Sequence, residues 1–264
     1  MSELFAAFKK RKALITFITA GDPSLAVTEK LIYQMQTAGA DIIELGIPFS
    51  DPLADGPVIQ AAHQRAIKTS LTDVFALAKK ARRKTSIPLI FMLSDNLIEK
   101  YGTQKFYADC EKAGVDGVIV PDLPPEEQGL IGKMREKEAM PAGRQGGGGI
   151  DKIFLIAPTT TEERIRYIAA ASSGFIYLVS VAGITGKRAA LSEEIPDLVS
   201  RIRKYTKKPI AVGFGISTPA QAAEAVKFAD GVIVGSAIVE LISRKQFKKI
   251  PKFISSLRKA IDAR

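Results

Sequence analysis

Residues 41–57 read DIIELGIPFSDPLADGP, and this stretch decides how the rest of the chain is interpreted. Its first part, Asp41 to Leu45, has the pattern of a short buried strand. Glu44 lies inside that strand among apolar neighbours, where burial raises the pKa of a carboxyl group and an ion without a partner is costly. Such a group can give and take protons near neutral pH. Residue types alone leave a second interpretation open, a buried partner of a Lys or Arg.

The loop after this strand is stiffened by three prolines. Pro48, Pro52 and Pro57 each fix one φ angle, so the loop loses less conformational entropy when it orders. It can therefore hold the carboxylates of Asp51 and Asp55 in defined places. This spacing predicts a site, although a plain proline-rich turn fits the same residues.

The composition is that of an ordinary globular protein. With 264 residues, 46% of them hydrophobic, the chain can bury a large core in one or two domains. No apolar run approaches the ~20 residues that span a bilayer, and residues 1–10 form only a short amphipathic stretch, so we expect a cytoplasmic protein with no membrane contact. The single cysteine, Cys110, excludes an internal disulfide and is expected to pack in the core.

The net charge of +10 is compatible with nucleic-acid binding, but the distribution of the charge argues against it. The basic runs at 79–84 and 201–208 fall at the ends of helical patterns, where cations suit the helix dipole. In the basic stretch 244–264, apolar residues recur at helical spacing, which predicts a docked amphipathic helix. The chain also has no Trp and no zinc-ligand cluster, so we expect no nucleic-acid partner and no metal site.

Short β-branched runs alternate with longer stretches of helical period along the whole chain. Eight such runs in a chain near the usual ~250 residues predict an α/β fold, a (β/α)8 TIM barrel, rather than an open sheet. No linker divides the sequence, so we expect one barrel domain over residues 1–264, against the alternative of two small domains. The predicted strands are Leu14 to Thr19, Asp41 to Leu45, Leu89 to Leu93, Gly117 to Pro121, Ile153 to Ala157, Phe175 to Ser180, Ile210 to Gly213 and Val232 to Gly235.

A Gly-rich stretch, residues 140–149, lies between the fourth helix and the fifth strand. In a barrel it belongs to the face opposite the active site, and we interpret it as a mobile loop insertion, richest in glycine at 143–149. A phosphate-binding loop is the alternative. Such loops run from a strand into a helix, however, and this one runs the other way.

Two turns of small residues follow the last two predicted strands. Gly213, Phe214 and Gly215 follow the seventh strand, and Gly235 and Ser236 follow the eighth. Each turn opens a helix, so backbone N–H groups and two helix N-termini can converge on one anion. Barrels often hold a substrate phosphate between these loops, which predicts a phosphate site, with ordinary glycine turns as the alternative.

Four further features belong to the same end of the barrel. Loop 181–188 has the glycine hinges and polar tip of a lid, although an idle surface loop shares this composition. Tyr177 either points its hydroxyl into the barrel mouth or simply packs. Asp122 is either another site carboxylate or a cap of the fourth helix. His63, the sole histidine, follows the acidic loop and is expected at the surface.

Five stretches of the chain together resemble one family, the tryptophan synthase alpha chain. The most specific is 40–60, ADIIELGIPFSDPLADGPVIQ, and the others are 157–160 (APTT), 177–180 (YLVS), 183–186 (GITG) and 213–217 (GFGIS). The resemblance covers nearly the whole chain. It implies a (β/α)8 barrel and a lyase of tryptophan biosynthesis that cleaves indole-3-glycerol phosphate to indole and glyceraldehyde 3-phosphate.

Position by position, the resemblance implies a role for each candidate residue. Glu44 matches the acid/base glutamate that protonates C3 of the indole and takes the proton of the glycerol hydroxyl. Asp55 matches the aspartate that hydrogen-bonds the indole nitrogen. The remaining matches are Tyr177 near the reacting carbon, Thr185 and Gly186 in the closing loop, and Gly213, Phe214, Gly215, Gly235 and Ser236 around the phosphate.

The resemblance also implies a partner. The family's alpha chain has no cofactor of its own and joins a beta chain, which uses pyridoxal phosphate to couple indole to serine, in an α2β2 heterotetramer. Indole passes between the subunits. The loop around Asp51 and Pro52 would then lie at the interface and couple the two sites.

The sequence departs from the family pattern in four places. Ser94 stands where a tyrosine is common, which removes an aromatic wall near the substrate or the partner, and Glu240 stands where a lysine is frequent. The Gly-rich insertion and a short N-terminal segment are the other two. Two further functions stay open: an alpha subunit that only activates its partner, and another phosphate-binding barrel, such as a sugar-phosphate isomerase or epimerase.

Overall fold

A computed structural model of the chain describes residues 2–52, 55–127, 149–180, 190–213 and 215–263, with the backbone alone for 190–194. Of the Gly-rich stretch, only Gly149 belongs to these ranges. The elements are, in chain order, α1 Glu3–Lys10, β1 Ala13–Thr19, α2 Leu25–Thr37, β2 Ile42–Gly46, α3 Pro57–Ala66, α4 Leu71–Arg82, β3 Leu89–Met92, α5 Asp95–Tyr101, α6 Thr103–Ala113, β4 Gly117–Ile119, β5 Asp151–Ile153, β6 Leu155–Ile156, α7 Glu162–Ala171, β7 Ile176–Val179, α8 Ala190–Arg203, β8 Ile210–Gly213, α9 Pro219–Ala225, β9 Gly231–Val234, α10 Ser236–Ser243, a 3-10 turn Phe247–Lys249 and α11 Ile250–Asp262.

The strands form one parallel sheet in the order β5-β4-β3-β2-β1-β9-β8-β7-β6. β5 and β6 lie at opposite ends of this order, although only Phe154 separates them in the chain. β5 pairs with β4 and β6 pairs with β7, so the sheet curls round until its two edges meet at Phe154. This nearly closed barrel confirms the predicted (β/α)8 fold. The assignment of residues 1–264 to a single domain stays a prediction.

Both faces of the sheet are buried, because successive side chains alternate between the barrel interior and the surrounding helices. In β1, Phe17 belongs to the interior cluster and Ile18 to the cluster under the helices. Glu44 pairs in register with Phe17 on one side and with Ile90 of β3 on the other, and Ile90 is also an interior residue. Glu44 therefore faces the barrel interior, and its neighbours in register, Phe17 and Ile90, are both apolar.

Hydroxyl side chains fix the starts of several helices. In α4, Ser70 accepts the backbone N–H of Asp73, and Asp73 in turn accepts the backbone N–H of Ser70, which is a reciprocal capping box. Single side-chain caps satisfy donors that the first turn leaves without partners. They are formed by Ser2 for α1, Ser24 for α2 and Thr161 for α7.

The structure also tests the interpretation of the charged segments. The basic runs lie in the last turns of α4 and α8, as predicted, and Lys80 pairs there with Glu29 at 2.7 Å. The C-terminal helix α11 buries Ile254 and Leu257 completely, which confirms the docked amphipathic helix, and Cys110 is buried as expected. Over the ranges given above, no helix combines the length and apolar character needed to cross a membrane.

Candidate active site

Glu44 is completely buried in the middle of β2. In the part of the chain that the structure describes, neither carboxylate oxygen has a hydrogen-bond partner. Burial is the main reason why the pKa of Glu44 rises from 4.5 to about 8, and the negative charge of Asp55 raises it further. These observations favour the acid/base interpretation over a buried ion pair, since the group changes protonation close to neutral pH.

Asp55 lies at the end of the acidic loop and is held by residues of the next helix. Its Oδ2 is 3.2 Å from Nε2 of His63, and its backbone carbonyl accepts a hydrogen bond from the Gln60 side chain at 2.9 Å. The Asp55 side chain is only 14% exposed. These contacts hold the carboxylate in place, close enough for its charge to act on Glu44.

Tyr177 on β7 points into the barrel and is buried with the interior cluster. Burial raises the pKa of its hydroxyl well above the usual value, and the charges of Glu44 and Asp55 raise it further. The sequence left open whether this tyrosine packs or points into the mouth. It packs inside the barrel, within the electrostatic reach of both carboxylates.

A cavity of about 230 Å3 opens above the carboxyl ends of β1 to β4, and of the three groups described so far Asp55 lines it. A mostly apolar wall with a few convergent polar groups is the usual form of a small-molecule site. The apolar wall is formed by Phe17, Ile47, Phe49, Pro52, Met92, Leu93 and Pro121, and the polar groups come from Asp51, Asp55, His63, Ser94, Asn96 and Asp122.

Asp122 lines the cavity, as the site interpretation of the sequence expected, and also caps a helix. Its Oδ1 accepts the backbone N–H of Asp95 at 3.0 Å at the start of α5. Its Oδ2 accepts a hydrogen bond from Ser94 at 2.5 Å. Ser94, the departure from the family pattern, thus lines the cavity and is tied to the carboxylate at the end of the neighbouring strand.

The two small-residue turns lie side by side, because β8 and β9 pair in parallel. Gly235 directly precedes α10, which begins at Ser236. A side chain added at Gly235 would contact Phe17. Gly215 has a φ of +79°, a left-handed conformation that favours glycine. The start of α10 has no side-chain cap, so its first turn suits an anion and supports the predicted phosphate site. At the start of α9, by contrast, Pro219 has no N–H, and Thr218 accepts the backbone N–H of Gln221.

Glycine at position 213 makes room for Tyr177. A methyl group added there would lie 2.5 Å from the tyrosine hydroxyl oxygen. We expect Gly213→Ala to displace the ring and to lower the free energy of unfolding by about 1–3 kcal/mol, measured by urea denaturation. The control Gly149→Ala, whose methyl would meet no atom of the described residues within 4 Å, should change it by less than ~0.5 kcal/mol. Equal stability of both variants would contradict a fixed Tyr177 ring.

The remaining sequence predictions have mixed outcomes. Thr185, Gly186 and Phe214 lie outside the described residues. Asp51 is exposed at the cavity rim beside Pro52. The expectation of a surface histidine is wrong, because His63 is only 5% exposed.

Sequence reasoning also missed residues that shape the cavity. Phe17 and Gly46 were not singled out, although a methyl group on Gly46 would lie 2.5 Å from the Phe17 ring. The available signal was the alternation along β1, which directs Phe17 to the inward face of the sheet. In the structure Phe17 lies in the same layer as Glu44, its neighbour in register.

Together, the fold and the site define a (β/α)8 barrel with a buried carboxyl group of raised pKa in its interior and a mostly apolar cavity above its strands. The family model described as tryptophan synthase alpha chain matches residues 5–260. The chain therefore belongs to the tryptophan synthase alpha chain family, the lyase subunits of tryptophan biosynthesis.

Individual relatives cover nearly the full chain. The tryptophan synthase alpha chain of Geotalea daltonii is 47% identical over 97% of this chain and 94% of its own length. That of Dehalococcoides mccartyi is also 47% identical, over 99% of this chain and all of its own. The crystal structure of the alpha chain from Legionella pneumophila superposes with a TM-score of 0.85 at 37% identity and covers 99% of this chain and 98% of that one. These matches confirm the resemblance seen in the sequence.

Proposed function

We propose that Glu44 and Asp55 carry out the retro-aldol cleavage of indole-3-glycerol phosphate to indole and glyceraldehyde 3-phosphate in this chain. The observation that carries the proposal is the state of Glu44: buried, without a hydrogen-bond partner among the described residues, and with a pKa of about 8. A carboxyl group in that state can be the proton donor in one step and the acceptor in the next.

The two carboxylates then have separate tasks. Neutral Glu44 gives its proton to C3 of the indole, and positive charge develops on the ring nitrogen, where the fixed Asp55 carboxylate accepts the N–H and stabilises it. The Glu44 carboxylate next takes the proton of the glycerol hydroxyl. The bond between C3 and the side chain breaks, its electrons restore the aromatic indole, and the aldehyde leaves. Glu44 ends the cycle protonated, as it began.

The rest of the site would bind the substrate. Gly213, Gly215, Gly235 and Ser236 belong to the turns after the neighbouring strands β8 and β9, and the start of α10, which has no side-chain cap, suits the phosphate group. Tyr177 would pack near the reacting carbon, since its hydroxyl experiences the charges of both carboxylates. Family membership supports Phe214, Thr185 and Gly186 as the other substrate-binding residues.

We also propose a beta-chain partner, in an α2β2 assembly, that carries pyridoxal phosphate and receives the indole. The support is family membership together with the exposed Asp51 and half-buried Pro52 at the rim of the cavity, where a partner could contact the loop that holds Asp55. The cytoplasmic location stays a prediction.

The direct test is indole release from indole-3-glycerol phosphate by the purified chain, alone and with a tryptophan synthase beta chain. We expect measurable cleavage by the chain alone and faster cleavage with the partner, because partner binding at the Asp51 loop would stabilise the productive position of Asp55. Stimulation of the beta chain without any cleavage would instead identify a non-catalytic activating subunit. No effect in either assay would overturn the proposal.

A further inference from the structure

The buried side chain of His63 contacts both ends of the acidic loop, residues 49–55. Its Nδ1 accepts a hydrogen bond from the backbone N–H of Phe49 at 3.1 Å, and its Nε2 lies 3.2 Å from Oδ2 of Asp55. Phe49 stands at the start of the loop and Asp55 at its end. One imidazole ring on α3 thus contacts both ends of the segment that carries the proposed indole-binding carboxylate.

These contacts define the protonation of the ring. A backbone N–H can donate only to a nitrogen without a proton, so Nδ1 is the acceptor and the proton of the neutral imidazole is on Nε2. That proton faces the Asp55 carboxylate. The Phe49 contact therefore selects the tautomer that can donate to Asp55.

The helix that carries His63 is itself firmly attached. Arg65 forms two hydrogen bonds with the buried carboxylate of Asp22, at 2.9 and 2.7 Å, which ties α3 to the segment after β1. Gln60 and Gln64, on the same face as His63, bond the backbone carbonyls of Asp55 and Ser50. Residues at i, i+3 and i+4 share one helix face, so α3 is a rigid platform for the loop.

We propose that His63 is a positioning residue: its Nε2–H orients the Asp55 carboxylate toward the indole nitrogen, and its Nδ1 keeps this tautomer by accepting from Phe49. The inference rests on the proposed function. A carboxylate that must meet a developing positive charge gains from being held in advance, and a hydrogen bond to one of its oxygens leaves the other free for the substrate.

Two substitutions separate the two contacts. The amide of Gln reaches the position of Nε2 and can still donate to Asp55, whereas the amide of Asn reaches only the position of Nδ1 and can still accept from Phe49. We expect His63→Asn to lower kcat about tenfold with little change in KM, because the lost bond is to a charged group, and His63→Gln to stay within about threefold of the wild type. If kcat fell equally in both variants, or fell further in His63→Gln, the proposal would be wrong, and His63 would only anchor the loop.

A double-mutant cycle tests whether His63 acts through Asp55. In an Asp55→Asn background, His63→Asn should lower the residual kcat less than twofold, since there is no carboxylate left to orient. A full tenfold loss in that background would contradict the inference. The wild type distinguishes failure of this inference from failure of the proposed function. If the wild type released no indole, the proposed function would be wrong. If the wild type and His63→Asn were equally active, only the positioning role would be wrong.

A spectroscopic measurement checks the tautomer without any assay. The chain has one histidine, so a two-bond 1H–15N spectrum of the untagged protein reports on a single imidazole. We expect a ring with its proton on Nε2 and none on Nδ1, because Nδ1 accepts from Phe49. A proton on Nδ1 would overturn the assignment.

Discussion

Replacement of Glu44 by Gln is expected to lower kcat for indole release at least about 1000-fold. General acid/base catalysis contributes about 100- to 10,000-fold, and Glu44 is proposed as both the acid and the base of this reaction. Gln has nearly the same shape but can neither give nor take the proton. The KM should change little, because the turns proposed to bind the phosphate follow β8 and β9 and do not include Glu44.

A matched control distinguishes lost chemistry from a disturbed fold. Glu29 on α2 is another carboxylate with little exposure, but it pairs at 2.7 Å with the largely exposed Lys80 of α4 in the outer layer of helices and not inside the barrel. Glu29→Gln should leave kcat within about twofold of the wild type. Single-turnover measurements on both variants would separate the chemical step from product release. Substantial cleavage by Glu44→Gln would show that another group carries the protons.

The sequence predicted the architecture well, because the signals for it are local. Apolar runs, helix caps and the position of Glu44 within a strand depend only on neighbouring residues. One departure is the predicted strand Ile153 to Ala157, which breaks at Phe154 into β5 and β6, where the two edges of the sheet meet. No local pattern marks that position, because closure of a barrel depends on all of its strands.

The site was predicted less completely, for a physical reason. His63 looks like a surface residue in the helix after the loop, and only the return of α3 over that loop brings it to Phe49 and Asp55. Similarly, nothing local shows that Gly213 leaves room for Tyr177, since the two residues lie on neighbouring strands. Contacts between distant segments depend on tertiary packing, and they cannot be inferred from the local pattern of a single sequence.

The buried carboxyl group should also govern how stability depends on pH. In the folded chain the pKa of Glu44 is about 8, against the ordinary value of 4.5 expected after unfolding. Between these values the folded state keeps a proton that the unfolded state has released, so stability falls as pH rises. The contribution is fully present below about pH 4.5 and is lost as the pH rises through about 8.

Comparison of the wild type with Glu44→Gln isolates this contribution, since all other titrating groups are common to both proteins. Each unit of pKa shift corresponds to about 1.4 kcal/mol, and we expect the wild type to lose on the order of 3 kcal/mol relative to the variant between pH 5 and pH 9. Urea denaturation at the two pH values measures it. Parallel stability curves would mean that Glu44 is ionised inside the barrel throughout this range, and the acid/base assignment would then lose its physical basis, because a permanently charged carboxylate has no proton to give to the indole ring.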